Sequence, residues 1–376
     1  MFRDRPRLRM IILLLGLAAM FADVLYEGLR SALGPYFASL GAGVVTATLL
    51  GVTPEIFVAA GRLASVFLAR LVDPLAILAG SYLVTGMAVP AVGLAGTLTV
   101  ISALYCVERF ARGVRGPVRD TILSIAAGRE KTGLAFGVLE VLDQAGAVLG
   151  PAYITLVILL TGSIKTSLLL LGAFTVPLTA VTGLLWRKLR GVEATLPRAE
   201  LRLGRQEILL ILLLSLPWLA TPHFIAYSDL LTHYLKPELI TLSYAVAMAV
   251  DAILAIPLGM KTDTRSLLIV PTVSTLLPLI PVLHTTQIMK AVLIGTIYGT
   301  AASLQEVTVR TTIALHTTHT KRLTTYATTY IAQTITQLTA SILITKLTTT
   351  QYITYTLTIL LITLITLTIK TKIKTT

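Results

Sequence analysis

Twelve apolar runs, most of about twenty residues, follow one another along this chain with only short polar breaks between them. A run of that length crosses a hydrocarbon layer as a helix, since about 20 residues at ~1.5 Å each cover ~30 Å. Ten-residue stretches of strand-like alternation are absent, and in lipid every backbone donor and acceptor must be paired inside its own segment. Composition agrees: 55% of the 376 residues are hydrophobic and 13% are charged, with a mean hydropathy of +0.83. That leaves too few polar side chains to cover a soluble surface. The fold class that follows is an all-α membrane protein, multi-pass, in the plasma membrane.

The runs fall at residues 9–38, 43–69, 75–95, 98–118, 133–160, 165–186, 207–234, 239–260, 266–284, 287–313, 322–346 and 350–369, the fourth extending toward Ser124. Basic residues alternate between the connections. Twenty Lys and Arg lie on one side, among them Arg3, Arg5, Arg7 and Arg9 at the start and Lys370, Lys372 and Lys374 at the end. Lys165, Lys236, Lys290 and Lys346 lie on the other. The positive-inside rule then predicts twelve transmembrane helices with both termini cytoplasmic. The basic N-terminus leads into a run with no small-residue cleavage site, so it reads as an anchor rather than a signal peptide. The net charge of +13 is accounted for by this cytoplasmic bias and does not imply nucleic acid. The longest polar connection, residues 188–206, divides the chain into six-helix bundles at 1–187 and 207–376.

Ionisable residues interrupt these runs in a pattern. The runs at 75–95, 165–186, 266–284 and 350–369 carry no interior Asp, Glu, Lys or Arg, so one helix in three is fit to face lipid. The others carry Asp23, Glu27 and Arg30; Glu55 and Arg62; Glu108, Arg109, Arg112 and Arg115; Glu140 and Asp143; Asp229; Asp251; and Glu306 with Arg310. The run at 322–346 is polar instead, with Tyr326, Tyr330, Gln333 and Gln337. A charge at mid-bilayer costs about 2.5–3.5 kcal/mol on insertion scales, so these groups face protein or water. The shared rhythm of the two halves, and the parallel between "RDTILS" from Arg119 and "RTTIAL" from Arg310, suggest an internal repeat of parallel hand.

Three motifs then resemble the major facilitator superfamily over essentially the whole chain. "GAVLGP", Gly146 to Pro151, is similar to its antiporter motif, although Ile154 and Thr155 stand where later glycines fall. "RFARG", Arg109 to Gly113, is similar to the element of the fourth helix. "GMKTD", Gly259 to Asp263, is similar to the gating loop, whose first-half counterpart "ARLVDP" has Ala69 for the glycine. Within the superfamily the chain resembles a prokaryotic efflux-type subgroup of unassigned substrate. The resemblance implies a secondary transporter working by alternating access, with protons and a small-molecule substrate as partners, and a monomer in the bilayer. Export against protons is the first expectation; uptake by symport or uniport, or a non-transporting receptor, are the alternatives.

Roles can be assigned to the residues on their chemistry. Glu27 and Arg30 are spaced to pair at i,i+3, leaving Asp23 to a partner such as Arg109 or Arg112. Asp23, Glu27, Glu140 and Asp143 are the proton-coupling candidates, the last two expected to share one side of their helix as a like-charged pair. Arg30, Glu55, Arg62, Arg109, Arg112, Asp229, Asp251, Glu306 and Arg310 are candidate charge partners or cavity residues; a static structural network fits the same positions. Arg112, Arg115 and Arg119, near the cytoplasmic end of the fourth run, are expected at headgroups, loops and helix ends rather than at substrate. Gly146, Gly150 and Pro151 suit either a hinge or simple close packing, and Gly259 with Asp263 a gate. His316 and His319 lack a third ligand, Cys106 is alone, and no nucleophile–base set is visible, so neither metal, cofactor nor enzymatic activity is expected. Of 26 glycines, 23 precede residue 205, and Thr dominates the second half.

Overall fold

The computed structural model describes residues 5–42, 54–189, 199–224, 227, 231, 234–261, 263–280, 283–344 and 346–375. Among them the regular structure is helical throughout. The helices are α1 (Arg5–Ser39), α2 (Pro54–Leu71), α3 (Pro74–Val92), α4 (Leu98–Thr161) and α5 (Ile164–Leu189). They continue with α6 (Arg205–Ser215), α7 (Pro237–Met260), α8 (Ile269–Ser274), α9 (residues 287–316), α10 (His319–Ile344) and α11 (Thr349–Thr375). Among the described residues, six helical segments are long and apolar enough to cross a membrane: Arg9–Gly34, Pro74–Val92, Leu98–Thr161, Ile164–Leu189, Leu242–Met260 and Thr349–Thr368.

The boundaries follow local chemistry. Asp73 caps α3 by accepting from the Leu75 amide, with Pro74 in the first turn. Thr97 caps α4 and Thr286 caps α9 in the same way. The runs at 98–118 and 133–160 differ from expectation in being joined by helix through residues 119–132. The chain is broken there at one residue, Gly128, whose φ of 68° and ψ of 170° are reached almost only by glycine. In the second half the backbone is less regular. Helix α6 runs into a 3₁₀ turn at Leu216–Ala220, and α9 contains a π turn at Leu304–Val309.

The chain divides into two compact units. Unit 1 comprises Met1–Gly128, Leu142–Leu201 and His319–Ala327; unit 2 comprises Arg129–Val141, Arg202–Thr318 and Thr328–Thr376. Two stretches therefore belong to the unit built mainly from the other half of the sequence.

In unit 1, α1 packs on α3 and α5, burying Leu15, Leu25, Leu29 and Leu171 completely. Each such side chain contributes about 1.5–3 kcal/mol. The stretch after the central connection docks here too: the Glu200 amide donates to Thr320 O at 2.9 Å, and Thr324 Oγ1 donates to Glu200 O at 2.7 Å. Beside it, burial and the neighbouring Arg322 hold the His319 imidazole below its usual pKa, so it stays neutral at neutral pH.

Unit 2 is centred on Tyr227, Leu231, Leu277, Ile294, Tyr298 and Tyr352. Its irregular turns free backbone carbonyls, and aromatic side chains answer them. Tyr227 donates to Leu277 O at 2.7 Å, Tyr352 to Ala220 O at 2.6 Å, and Trp218 to Leu214 O at 3.0 Å. The many threonines of α10 and α11 bond back along their own helices, as Thr334 to Tyr330 O and Thr363 to Ile359 O. Outward faces of both units are apolar, with Met87, Leu159, Val176 and Ile253 among the exposed side chains.

Candidate functional site

Helix α4 builds the centre of unit 1. Glu108, Arg112, Arg115 and Arg119 recur at steps of four, three and four, which is the spacing of one helical face. Arg109 lies beside that stripe and is 2% exposed. Its Nε donates to Glu108 at 3.0 Å, and Glu55, in the first turn of α2, stands 3.6 Å from its other end. Its guanidinium also stacks 3.5 Å from the ring centre of Tyr26, and that of Arg112 lies 3.9 Å from the same ring.

Arg112 rather than Arg109 answers α1, at 3.8 Å from Asp23 and 4.0 Å from Glu27. Glu27 keeps Arg30 at 3.5 Å, the expected i,i+3 pair. Arg62 is half-buried on α2.

Arg115 and Arg119 do not reach out to headgroups. Arg115 donates to Thr85 of α3 at 2.6 Å and lies 3.8 Å from Glu108, while Thr85 itself donates to Glu108 at 3.3 Å. Arg119 donates to Asp120 at 3.0 Å and to Asp143 at 3.1 Å. Glu108 and Asp120 are fully buried. Burial explains the geometry: a guanidinium removed from water requires carboxylates to offset its desolvation. Helix α3, expected to be a lipid-facing span, thus contributes a polar face through Thr85 and Tyr82, the latter 5.2 Å below Arg115.

Glu140 and Asp143 do not form a like-charged pair. Three residues apart on α4, they face different partners: Asp143 takes Arg119, and Glu140 takes Arg310 of α9 at 3.3 Å within unit 2. Arg310 is also paired with Glu306, one turn earlier across the π turn. Asp251 of α7 is fully buried within hydrogen-bonding reach of the Glu140 side chain. Asp229 lies outside the described residues.

The glycines mark where backbones meet. A Cβ on Gly146 would lie 2.3 Å from Met20 O, and one on Gly150 2.4 Å from Val24 O and 2.7 Å from the Gly28 nitrogen, so α1 and the second arm of α4 touch along this seam. Pro151 follows inside the helix. In unit 2, Gly259 stands as closely against Gly133, and Asp263 caps a 3₁₀ turn by accepting from the Arg265 amide at 2.9 Å.

Unit 2 also holds a cavity of about 230 Å³. Phe224, Tyr244 and Tyr298 form an aromatic wall, with Phe224 edge-on to Tyr298 at 5.0 Å and tilted to Tyr244 at 5.3 Å. Gln305, Glu306 and Gln337 complete it, Gln305 linking Gln333 and Gln337 at 3.4 Å each. Sequence reasoning identified Glu306 and Gln337 but missed the aromatic wall, because residues from three separate helical segments converge there. It also missed Asp120, Tyr26 and Thr85 as network members and gave Glu108 no partner; the four–three–four spacing on α4 was the available signal.

No protein-family model matches the chain. Uncharacterized protein Mb2288 of Mycobacterium bovis is 33% identical over 333 residues, covering 80% of this chain and 77% of its own length. Uncharacterized protein Rv2265 of Mycobacterium tuberculosis matches to the same extent. Among solved structures, a bacterial homologue of the iron transporter ferroportin, outward-facing and soaked with iron, superposes with a TM-score of 0.64 at 15% identity, over 97% of this chain and 99% of that one. The human organic anion transporter MFSD10 superposes with a TM-score of 0.66 at 13% identity, over 97% of this chain and 100% of that one. At these identities the likeness establishes the fold.

Proposed function

Because this chain belongs to the same family as the mycobacterial proteins and has the major facilitator superfamily fold, we propose that it is a secondary transporter. It moves a small organic solute across the plasma membrane by alternating access and exports it against the entry of protons. In this reading the twelve runs are twelve spans in two six-helix bundles, 1–187 and 207–376, and both termini are cytoplasmic. The protein works as a monomer.

One observation carries the proposal: ionised side chains are collected in buried networks inside helices whose outer faces are apolar. Such groups are too costly in lipid to be kept without a use for them. In unit 1, Asp23 and Glu27 face Arg112, and Asp143 faces Arg119; in unit 2, Glu140 faces Arg310. These four carboxyls exchange the coupled protons, each with an arginine at hand to take over its charge. The tight seam at Gly146 and Gly150, with Pro151 beyond it, serves as a hinge, and Gly259 with Asp263 as part of a gate. The ferroportin homologue is named for iron and MFSD10 for organic anions. The solute class of this chain follows instead from the charges of its own cavity.

The test is a solute screen in proteoliposomes with and without an imposed pH gradient. The gradient should drive export-direction flux, and Asp23→Asn and Asp143→Asn should abolish the drive while leaving solute exchange. Undiminished gradient-driven flux in both variants would overturn the assignment of the proton residues. Flux indifferent to the gradient would indicate uniport, flux in the direction of proton entry would indicate symport, and no flux of any solute would indicate a receptor.

A further inference from the structure

We infer that the cavity of unit 2 is a subsite for an organic cation bearing one compact apolar or aromatic ring, with Glu306 as its anionic contact. The inference rests on the transport reading for its purpose, but on the cavity alone for its chemistry.

The charge balance is the first reason. Among the described residues that line the cavity, Glu306 is the one Asp or Glu, and Arg310, which bridges it to Glu140, is not in the lining. The two ends of the Arg310 bridge also differ in access. The Glu306 side chain is 33% exposed, whereas those of Arg310 and Glu140 are 9% and 2% exposed. Glu306 therefore presents the negative charge to the cavity while Arg310 is held behind it. Among the described residues that line the cavity there is no Lys or Arg, so an anion would meet a carboxylate and no counter-charge.

The wall is the second reason. Phe224, Tyr244 and Tyr298 offer ring faces and edges, and an aromatic face attracts a cation through its quadrupole. Tyr298 is also a buried phenol whose hydroxyl has no hydrogen-bond partner among the described residues. A wall that keeps such a group unmet suits a ligand that brings a polar atom with it. Gln305 and Gln337 add carbonyl oxygens that accept from an ammonium N–H.

Size is the third. At about 230 Å³ the cavity is smaller than the roughly 300–1,000 Å³ of sites that enclose a drug-sized ligand. It fits one ring and its charged substituent. His223 also lines it.

The arrangement gives the subsite a link to the proton network. A cation at Glu306 competes with Arg310 for that carboxylate and shifts Arg310 toward Glu140, one of the proposed proton carriers.

The experiment uses the full chain in lipid nanodiscs, with no gradient. Binding of benzylammonium, benzyl alcohol and phenylacetate is followed by the fluorescence of Trp218, which lines the cavity, and checked by calorimetry. The cation should bind at least tenfold more tightly than the other two. Glu306→Gln should weaken it at least tenfold, and Phe224→Leu several-fold. Phenylacetate binding as tightly as the cation, cation affinity unchanged in Glu306→Gln, or no binding of any probe would each overturn the inference. Should Glu306→Gln not fold, the wild-type order of the three probes and the Phe224→Leu variant still decide. Since no flux is measured, intact cation binding without transport would count against the transport reading alone.

Discussion

Adding a single carbon at Gly146 or Gly150 tests the seam between α1 and the second arm of α4. An alanine Cβ at Gly146 would lie 2.3 Å from Met20 O, and at Gly150 2.4 Å from Val24 O. Contacts of this kind settle near 3.5 Å, so α1 must retreat by about 1 Å at each point. The obstructing atoms are backbone oxygens in regular helix and cannot turn aside. A retreat of that size forfeits roughly a quarter to a half of each dispersion contact along the seam, in line with the ~1–3 kcal/mol of overpacked sites. Alanine returns up to ~1 kcal/mol in helix propensity. The net expectation is a loss of about 1–2 kcal/mol for either variant, and less than the sum for both together, because one displacement relieves both clashes. Gly80→Ala is the internal control: nothing lies within 4 Å of a Cβ there, and the substitution should stabilise by about 0.5–1 kcal/mol. The assay is thermal melting of purified protein at a fixed scan rate, where each kcal/mol moves a chain of this size by about 2 °C or somewhat less. Gly146→Ala and Gly150→Ala should melt below wild type and Gly80→Ala at or above it. Seam variants as stable as Gly80→Ala would refute the close-packing argument.

Arg310→Gln should destabilise by about 3–5 kcal/mol, because it strands buried Glu140, whereas Arg30→Gln, at a side chain 28% exposed, should cost under ~1 kcal/mol; chemical denaturation of the two variants compares them. Gly128→Ala should lower the melting temperature through backbone strain alone, by the equivalent of about 1–3 kcal/mol, since open space surrounds a Cβ at that position. Reporters fused to either terminus should be active only in the cytoplasm; an external C-terminus would rule out the even number of spans.

The helices were legible because apolar runs and capping residues act locally. The run expected at 75–95 is α3 at Pro74–Val92, and that at 287–313 is the helix 287–316. The joining of 98–118 to 133–160 escaped notice, since nothing in "RDTILSIAAGREK" except Gly128 breaks a helix. Partners were harder to read than positions. Glu27 with Arg30 and Glu306 with Arg310 were visible because helix geometry fixes neighbours at three and four residues. Choosing Arg112 over Arg109 for Asp23, or separating Glu140 from Asp143, depends on which helix packs alongside, and that information is not local. Arg115 and Arg119 were placed at the helix end for a related reason: their partners, Glu108 with Thr85 and Asp120 with Asp143, are set by which segments pack alongside.

Alternating access itself is tested most directly by a single cysteine at Ala302, which lines the unit 2 cavity, in a Cys106→Ser background. In oriented proteoliposomes, membrane-impermeant thiol reagents are applied to one face and then the other, at two pH values. The account predicts that Ala302→Cys is modified from both faces, with the favoured face changing with pH. Modification from one face only, whatever the pH, would contradict it.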